Sequence, residues 1–121
     1  MPEAQKVAEQ YIKVWNETDQ TRRQQLLRTG WTDDAHYADP LAKASGAREI
    51  STMIGEVQQR FPGFKFTLTG APDGHNDYIR FSWNFGPPDA DPPIEGSDVL
   101  TLADGRIAQV IGFLDRVPAQ A

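Results

Sequence analysis

Three side chains stand where the sequence pattern could give them acid–base chemistry: Asp39, Tyr11 and Asp98. Asp39 closes the aromatic, acidic stretch Trp31-Thr32-Asp33-Asp34-Ala35-His36-Tyr37-Ala38-Asp39-Pro40, and Pro40 ends it sharply. If residues 35–39 form a strand, side chains alternate, so Tyr37 and Asp39 share one face and His36 and Ala38 the other. A carboxylate fixed by a proline beside a core-sized aromatic suits proton transfer. The same residues equally suit an Asp-Pro turn that caps a polar strand end. Asp98 lies in the run Ile94–Ala103, in line with Ile94, Gly96, Leu100 and Leu102. On an inward face its carboxyl would be buried, its pKa raised, and the neutral acid able to donate a hydrogen bond. Val99 is apolar on the other face, so periodicity leaves open which face is inward. Tyr11 sits in an apolar helical stripe. That position suits plain core packing, but a buried tyrosine hydroxyl still needs a partner.

The elements that must position these groups follow from spacing. Residues 3–17 read as a helix, with Pro2 at its start and Ala4, Val7, Ala8, Tyr11, Val14 and Trp15 forming one stripe. Thr18 and Asp19 offer stop and cap signals, and a second helix is expected over 20–28, anchored by Leu26 and Leu27 and stopped by Gly30. Trp31 packs where the chain enters the first strand. Residues 41–46 read as a small-residue loop, with Ser45 capping a third helix over 47–60 whose apolar face is Ile50, Met53, Ile54, Val57 and Phe61. The second half alternates with period two. A strand over 64–69 is followed by a turn at Pro72-Asp73-Gly74, and a strand over 78–85 follows. Residues 86–93 hold four prolines and form an exposed, stiff connection or a lid. Strands over 94–103 and 106–116 flank a tight turn at Asp104-Gly105, and the last is expected to place Ile107, Ile111, Phe113 and Asp115 on one face.

Helix, helix, strand, helix, then four strands is an α+β arrangement: a strongly curved, mixed or antiparallel sheet packed against three N-terminal helices. Such a sheet closes into a cone with an apolar interior, the natural ligand site. The chain of 121 residues is expected to be a single domain over 1–121. Seventeen acids against twelve bases give a net charge of −5, which opposes nonspecific nucleic-acid binding. No apolar run reaches the length of a membrane span, and no apolar leader core follows Met1, so a cytoplasmic protein is expected. The absence of cysteine excludes disulfides and thiolate metal sites. His36 and His75 are isolated, and there is no phosphate-binding glycine loop; neither metal nor cofactor is expected.

This order of elements resembles the nuclear transport factor 2-like (cystatin-like) superfamily, with its SnoaL-like polyketide cyclases, limonene-epoxide hydrolases, scytalone dehydratase and ketosteroid isomerases. The resemblance spans the chain. It is most specific in Gln10-Tyr11-Ile12 through Asn16 and Asp19, in Asp33-Asp34-Ala35 through Asp39-Pro40, and in Ser45-Gly46 leading to Ile50; these are similar to the opening of the ketosteroid isomerases. It implies Asp39 as a base that shuttles a proton between carbons. It also implies Tyr11 and a protonated Asp98 as the oxyanion hole, an arrangement in which a catalytic carboxyl stays neutral and donates a hydrogen bond. The cavity would be lined by Trp15, Trp31, Tyr37, Met53, Phe81, Trp83, Leu100 and Phe113, and would take a small apolar molecule. A homodimer through the sheet is also implied. Gly96 stands where the epoxide hydrolases carry an arginine, and Gly112 stands near the last-strand acid of the cyclases, so those chemistries are disfavoured. Two alternatives remain: a non-catalytic ligand-binding or dimerisation module, and a polyketide-cyclase-like enzyme using Asp39 or Asp98.

Overall fold

A row of backbone hydrogen bonds across three strands brings the two acids of interest together. In the computed structural model, which describes residues 4–118, the elements are α1 (Ala4–Asn16), α2 (Gln20–Gly30), β1 (Trp31–Ala38), β2 (Lys43–Ser45), α3 (Gly46–Arg60), β3 (Lys65–His75), β4 (Tyr78–Gly86), β5 (Ile94–Ala103) and β6 (Arg106–Arg116). The six strands form one sheet in the order β2-β1-β6-β5-β4-β3. Only β1 and β6 run parallel; the other neighbours are antiparallel. In register, Phe81 pairs with Asp98, Asp98 with Gly112, and Ala38 with Ile111 beside it. The end of β1 therefore lies next to the centre of β5, one strand away.

The helices cover the inner face. α1 lies on β3 and α3 on β1, with α2 against α3. Asn16 ties the end of α1 to the open edge of β3: its side-chain amide donates to the Phe66 carbonyl at 2.9 Å and accepts the Phe66 N–H at 2.9 Å. An edge strand's free backbone groups are thus satisfied by a side chain. Asp19 caps α2, accepting the N–H groups of Thr21 and Arg22. Ser45 is the N-cap of α3 but gives no side-chain cap; instead Glu49, in the first turn, reaches back to accept the Ser45 N–H at 3.0 Å. The Ser45 hydroxyl is engaged by His36 Nδ1 at 2.8 Å. No described helix is long and apolar enough to cross a membrane.

Irregularities bend the sheet and change four local expectations. β1 begins at Trp31, four residues before the expected Ala35, because the whole aromatic-acidic stretch pairs with β6 or β2. The loop expected over 41–46 contains the short strand β2, which completes that edge. β3 runs through Pro72-Asp73-Gly74 instead of turning there: its register with β4 is interrupted between Thr69 and Asp73, and an edge strand tolerates proline where pairing lapses. The turn comes later, with Asn76 in the left-handed region at φ 54°. In β6 a register shift at Thr101/Leu102 inserts one residue, so Ile107, Val110 and Gly112 face inward while Ile111 and Phe113 face out. Phe113, 53% exposed, is therefore not a lining residue of the interior.

The interior is filled by rings. Tyr11 stacks on Trp31 and meets Phe81 edge-on; Trp15 packs on Tyr37 and Phe66; Phe66 meets Trp83. Leu100 is fully buried among them, and Met53 is partly buried against the same cluster. Trp83 lies directly over Gly96: a Cβ there would fall 2.2 Å from Trp83 Cζ2 and 2.7 Å from the Phe113 carbonyl oxygen. Gly96→Ala should accordingly cost stability at the upper end of about 1–3 kcal/mol in urea unfolding, because a packed ring must move. Gly30→Ala, with no atom within 4 Å of the new methyl, should change stability by no more than about 1 kcal/mol. Equal effects for the two would contradict this packing.

Candidate active site

The sheet places Asp98 on the inner face of β5, in line with Ile94, Leu100 and Leu102, and leaves it 3% exposed. It has no ion-pair partner; the ion pairs among the described residues use Asp73, Asp33 and Glu95. Burial raises its carboxyl to about 6; the Tyr11 hydroxyl and the Trp83 indole draw it back, and the charges of Asp39 and Asp115 add to the rise. A carboxyl among apolar side chains favours its neutral form because the ion has lost its water.

Tyr11 projects from the centre of the α1 stripe and is 2% exposed. Its pKa is held well above the ordinary range, by burial first and then by the nearby Asp98 charge, so it stays a neutral donor. No acceptor meets its hydroxyl with hydrogen-bond geometry, although Asp98 is near enough to feel it. The buried Trp15 indole N–H is likewise without an acceptor. Tyr11, Trp15 and Asp98 therefore bring three polar groups together in an otherwise apolar interior.

Asp39 follows the last residue of β1 and is half-buried. Its Oδ1 accepts the N–H groups of Leu41 and Ala42, both at 2.8 Å, and its own N–H donates to the Ala42 carbonyl at 2.9 Å. This is the Asp-Pro turn. Its Oδ2 accepts a 2.5 Å hydrogen bond from Tyr37. Tyr37 is thus more than the packing neighbour its spacing implies: burial and then that bond to Asp39 raise its pKa and keep it a donor. The second lone pair of Oδ2 remains available to take a proton.

Gly112 is where these groups converge. A Cβ built on it would lie 2.8 Å from Asp98 Oδ1 and 3.2 Å from Asp39 Cβ. The missing side chain is the space that both acids border. Tyr11, Asp98, Asp39 and Tyr37 form one cluster, walled by Trp15, Trp83, Trp31 and Phe81. His36 and His75 lie outside it, both exposed, and no group of acids and histidines among the described residues could hold a metal. The rings named above crowd this cluster, and hollows of about 290 Å³ at the β3–β4 hairpin and about 450 Å³ between α2 and α3 lie away from it.

This fold and cluster define a small α+β domain with a buried acid–tyrosine centre. Residues 8–110 match the SnoaL-like domain model, and the chain belongs to the SnoaL-like family. It is similar to a candidate isomerase of the SnoaL-like family from Agrobacterium tumefaciens, with 43% identity, a TM-score of 0.87, and coverage of 91% of this chain and 95% of that one. A candidate ketosteroid isomerase from Kribbella flavida shares the fold at 18% identity and TM-score 0.70, over 98% of this chain and 82% of its own. So does a Catenulispora acidiphila protein with a ketosteroid isomerase-like fold, solved in complex with trimethylamine (17%, TM-score 0.71, 88% and 82%). No curated protein matches the chain.

The raised Asp98 carboxyl has a thermodynamic consequence. Unfolded, it ionises near 4; folded, near 6. The native state therefore binds the proton more tightly, and the stability it contributes is full below pH ~4 and is lost as pH rises through about 6. The difference is worth about 3 kcal/mol at most. Asp98→Asn should be more stable than wild type by up to about that amount at pH 8, with the gap closing below pH ~4, in urea unfolding across pH. A gap that does not change with pH would rule out a buried, proton-hungry Asp98.

Proposed function

We propose that this SnoaL-like protein is an isomerase that moves a proton next to the carbonyl of a small apolar substrate. Asp39 takes the proton from carbon and returns it. Tyr11 and the neutral form of Asp98 donate hydrogen bonds to the enolate oxygen, where charge develops. The observation that carries this is the Tyr11 hydroxyl: a buried, neutral donor beside a buried acid whose pKa is raised to about 6, with Asp39 across Gly112 from that acid. The rings that fill the interior favour a substrate much smaller than a steroid, one that enters by displacing side chains.

A second chemistry has its own support. Asp39 is already held by three donors, whereas Asp98, near 6, has the pKa of an efficient general base at neutral pH. In that case Asp98 exchanges the proton, as in a cyclase-like reaction. The two differ in sign with pH. Fluorescence titration of a naphthol, an enolate mimic, should show binding that weakens as pH rises through about 6 if Asp98 is the neutral donor. Binding should fall at least about tenfold in Tyr11→Phe and in Asp98→Leu, neither of which keeps a donor, roughly the 1.4 kcal/mol or more expected of one lost hydrogen bond. Turnover, once a substrate is found, should fall about 10²–10³-fold on loss of either donor. Activity that rises through pH 6 would transfer the base role to Asp98, and binding indifferent to both substitutions would leave a plain packed core.

The outer face of the sheet supports a homodimer. Phe113, Ile111 and Tyr78 are exposed there, beside a polar line in which Ser82 and Ser97 share a 3.1 Å hydrogen bond and Ser97 donates to Asp115 at 2.6 Å. Analytical ultracentrifugation should give a dimer that Phe113→Glu dissociates without unfolding. A wild-type monomer would refute it.

A further inference from the structure

Among the described residues, the best-buried arginine or lysine side chain makes no ion pair. Arg23 of α2 is 4% exposed, yet every group it bonds is neutral. Its Nε donates to the Ser51 hydroxyl at 3.0 Å, and its Nη1 to the Glu17 carbonyl at 2.8 Å and the Gln58 side-chain oxygen at 3.2 Å. These use three of its five N–H donors; the two on Nη2 have no acceptor among the described residues. The nearest acids are occupied elsewhere. The Glu17 carboxylate accepts the Asp19 N–H, and the Asp19 carboxylate caps α2. Loss of water lowers the Arg23 pKa, and the charges of Glu17 and Asp19 only partly offset it. Buried charges are ordinarily paired, since an unpaired one forfeits its hydration without return.

Nη2 does not face a closed core. It lies against Gly55 of α3, where an added Cβ would come within 3.1 Å. There it borders the 450 Å³ hollow between α2 and α3, whose walls include Thr18, Gln20, Thr52 and Gln59, all able to donate hydrogen bonds; Glu56 is the one acid lining it. A glycine at that helical position opens the approach to the guanidinium, at a cost of about 1 kcal/mol in helix propensity relative to alanine.

We infer that this hollow is a binding site for a small oxyanion, a carboxylate or phosphate group, which Arg23 Nη2 and the neighbouring hydroxyls and amides would hold. It is separate from the Asp39–Asp98 cluster and independent of what that cluster does.

The test is a ¹⁵N NMR titration with sodium acetate and, separately, sodium phosphate, each against sodium chloride at matched ionic strength. Saturable shifts of the Arg23 Nε–H and the Gly55 amide are expected with one of the two anions and not with chloride; which one saturates at lower concentration assigns the carboxylate or the phosphate. Gly55→Ala puts a methyl against Arg23 Nη2, on the side from which the anion approaches, while keeping the Ser51, Glu17 and Gln58 partners of the arginine, and should weaken that binding at least about tenfold, roughly 1.4 kcal/mol, with the fold retained. Shifts no different from chloride, or undiminished binding in Gly55→Ala, would overturn the inference.

Discussion

A carboxyl group buried on the apolar face of a curved sheet, with no cation beside it, is the constraint around which this domain is built. Asp98 is tolerated there because it holds its proton up to about pH 6, and because Tyr11 and Trp83 donate to its ionised form above that. Its surroundings are fixed by shape as much as by charge. Gly96 makes room for the Trp83 ring, and Gly112 makes room for the Asp98 carboxyl itself. Replacing either glycine would push a large or charged side chain out of place.

From that centre the sheet topology does the rest. The parallel pairing of β1 with β6 carries the Asp-Pro turn to within contact of Gly112, while the antiparallel pairing of β5 with β6 puts Asp98 on its other side. α1, clamped to β3 by Asn16, brings Tyr11 over the same spot. Residues separated by most of the chain thereby meet around one missing side chain. Proton transfer between a carboxylate and a carbon acid needs that kind of placement, with donors already aimed at the site of developing charge.

The architecture was legible in the sequence because helical stripes and strand alternation are local properties, and three helices followed by long hairpin strands follow from them. The inward orientation of Asp98 was only half legible, since Val99 made the other face equally apolar; the sheet resolves it through burial of Leu100 and Leu102. What could not be read were features set by pairing. The β6 bulge that turns Phe113 outward depends on register with β5, and Pro72 passes within β3 because that strand is an edge with interrupted pairing. Tyr37 was visible on the face of Asp39, but its hydrogen bond depends on the exact end of β1. Arg23 gave no signal at all, since an arginine in a polar helix reads as solvent-exposed until α3 packs across it.

Rings crowd the centre: Trp31 and Phe81 pack on Tyr11, and Trp15 packs on Tyr37. The most direct measurement is a crystal structure with a bound phenol or naphthol. The ligand oxygen should lie within hydrogen-bonding distance of both the Tyr11 hydroxyl and the Asp98 carboxyl, with its ring beside Asp39 and the side chains around Gly112 displaced. A ligand bound only on the outer face of the sheet or in the α2–α3 hollow, away from Tyr11, would contradict the proposed site.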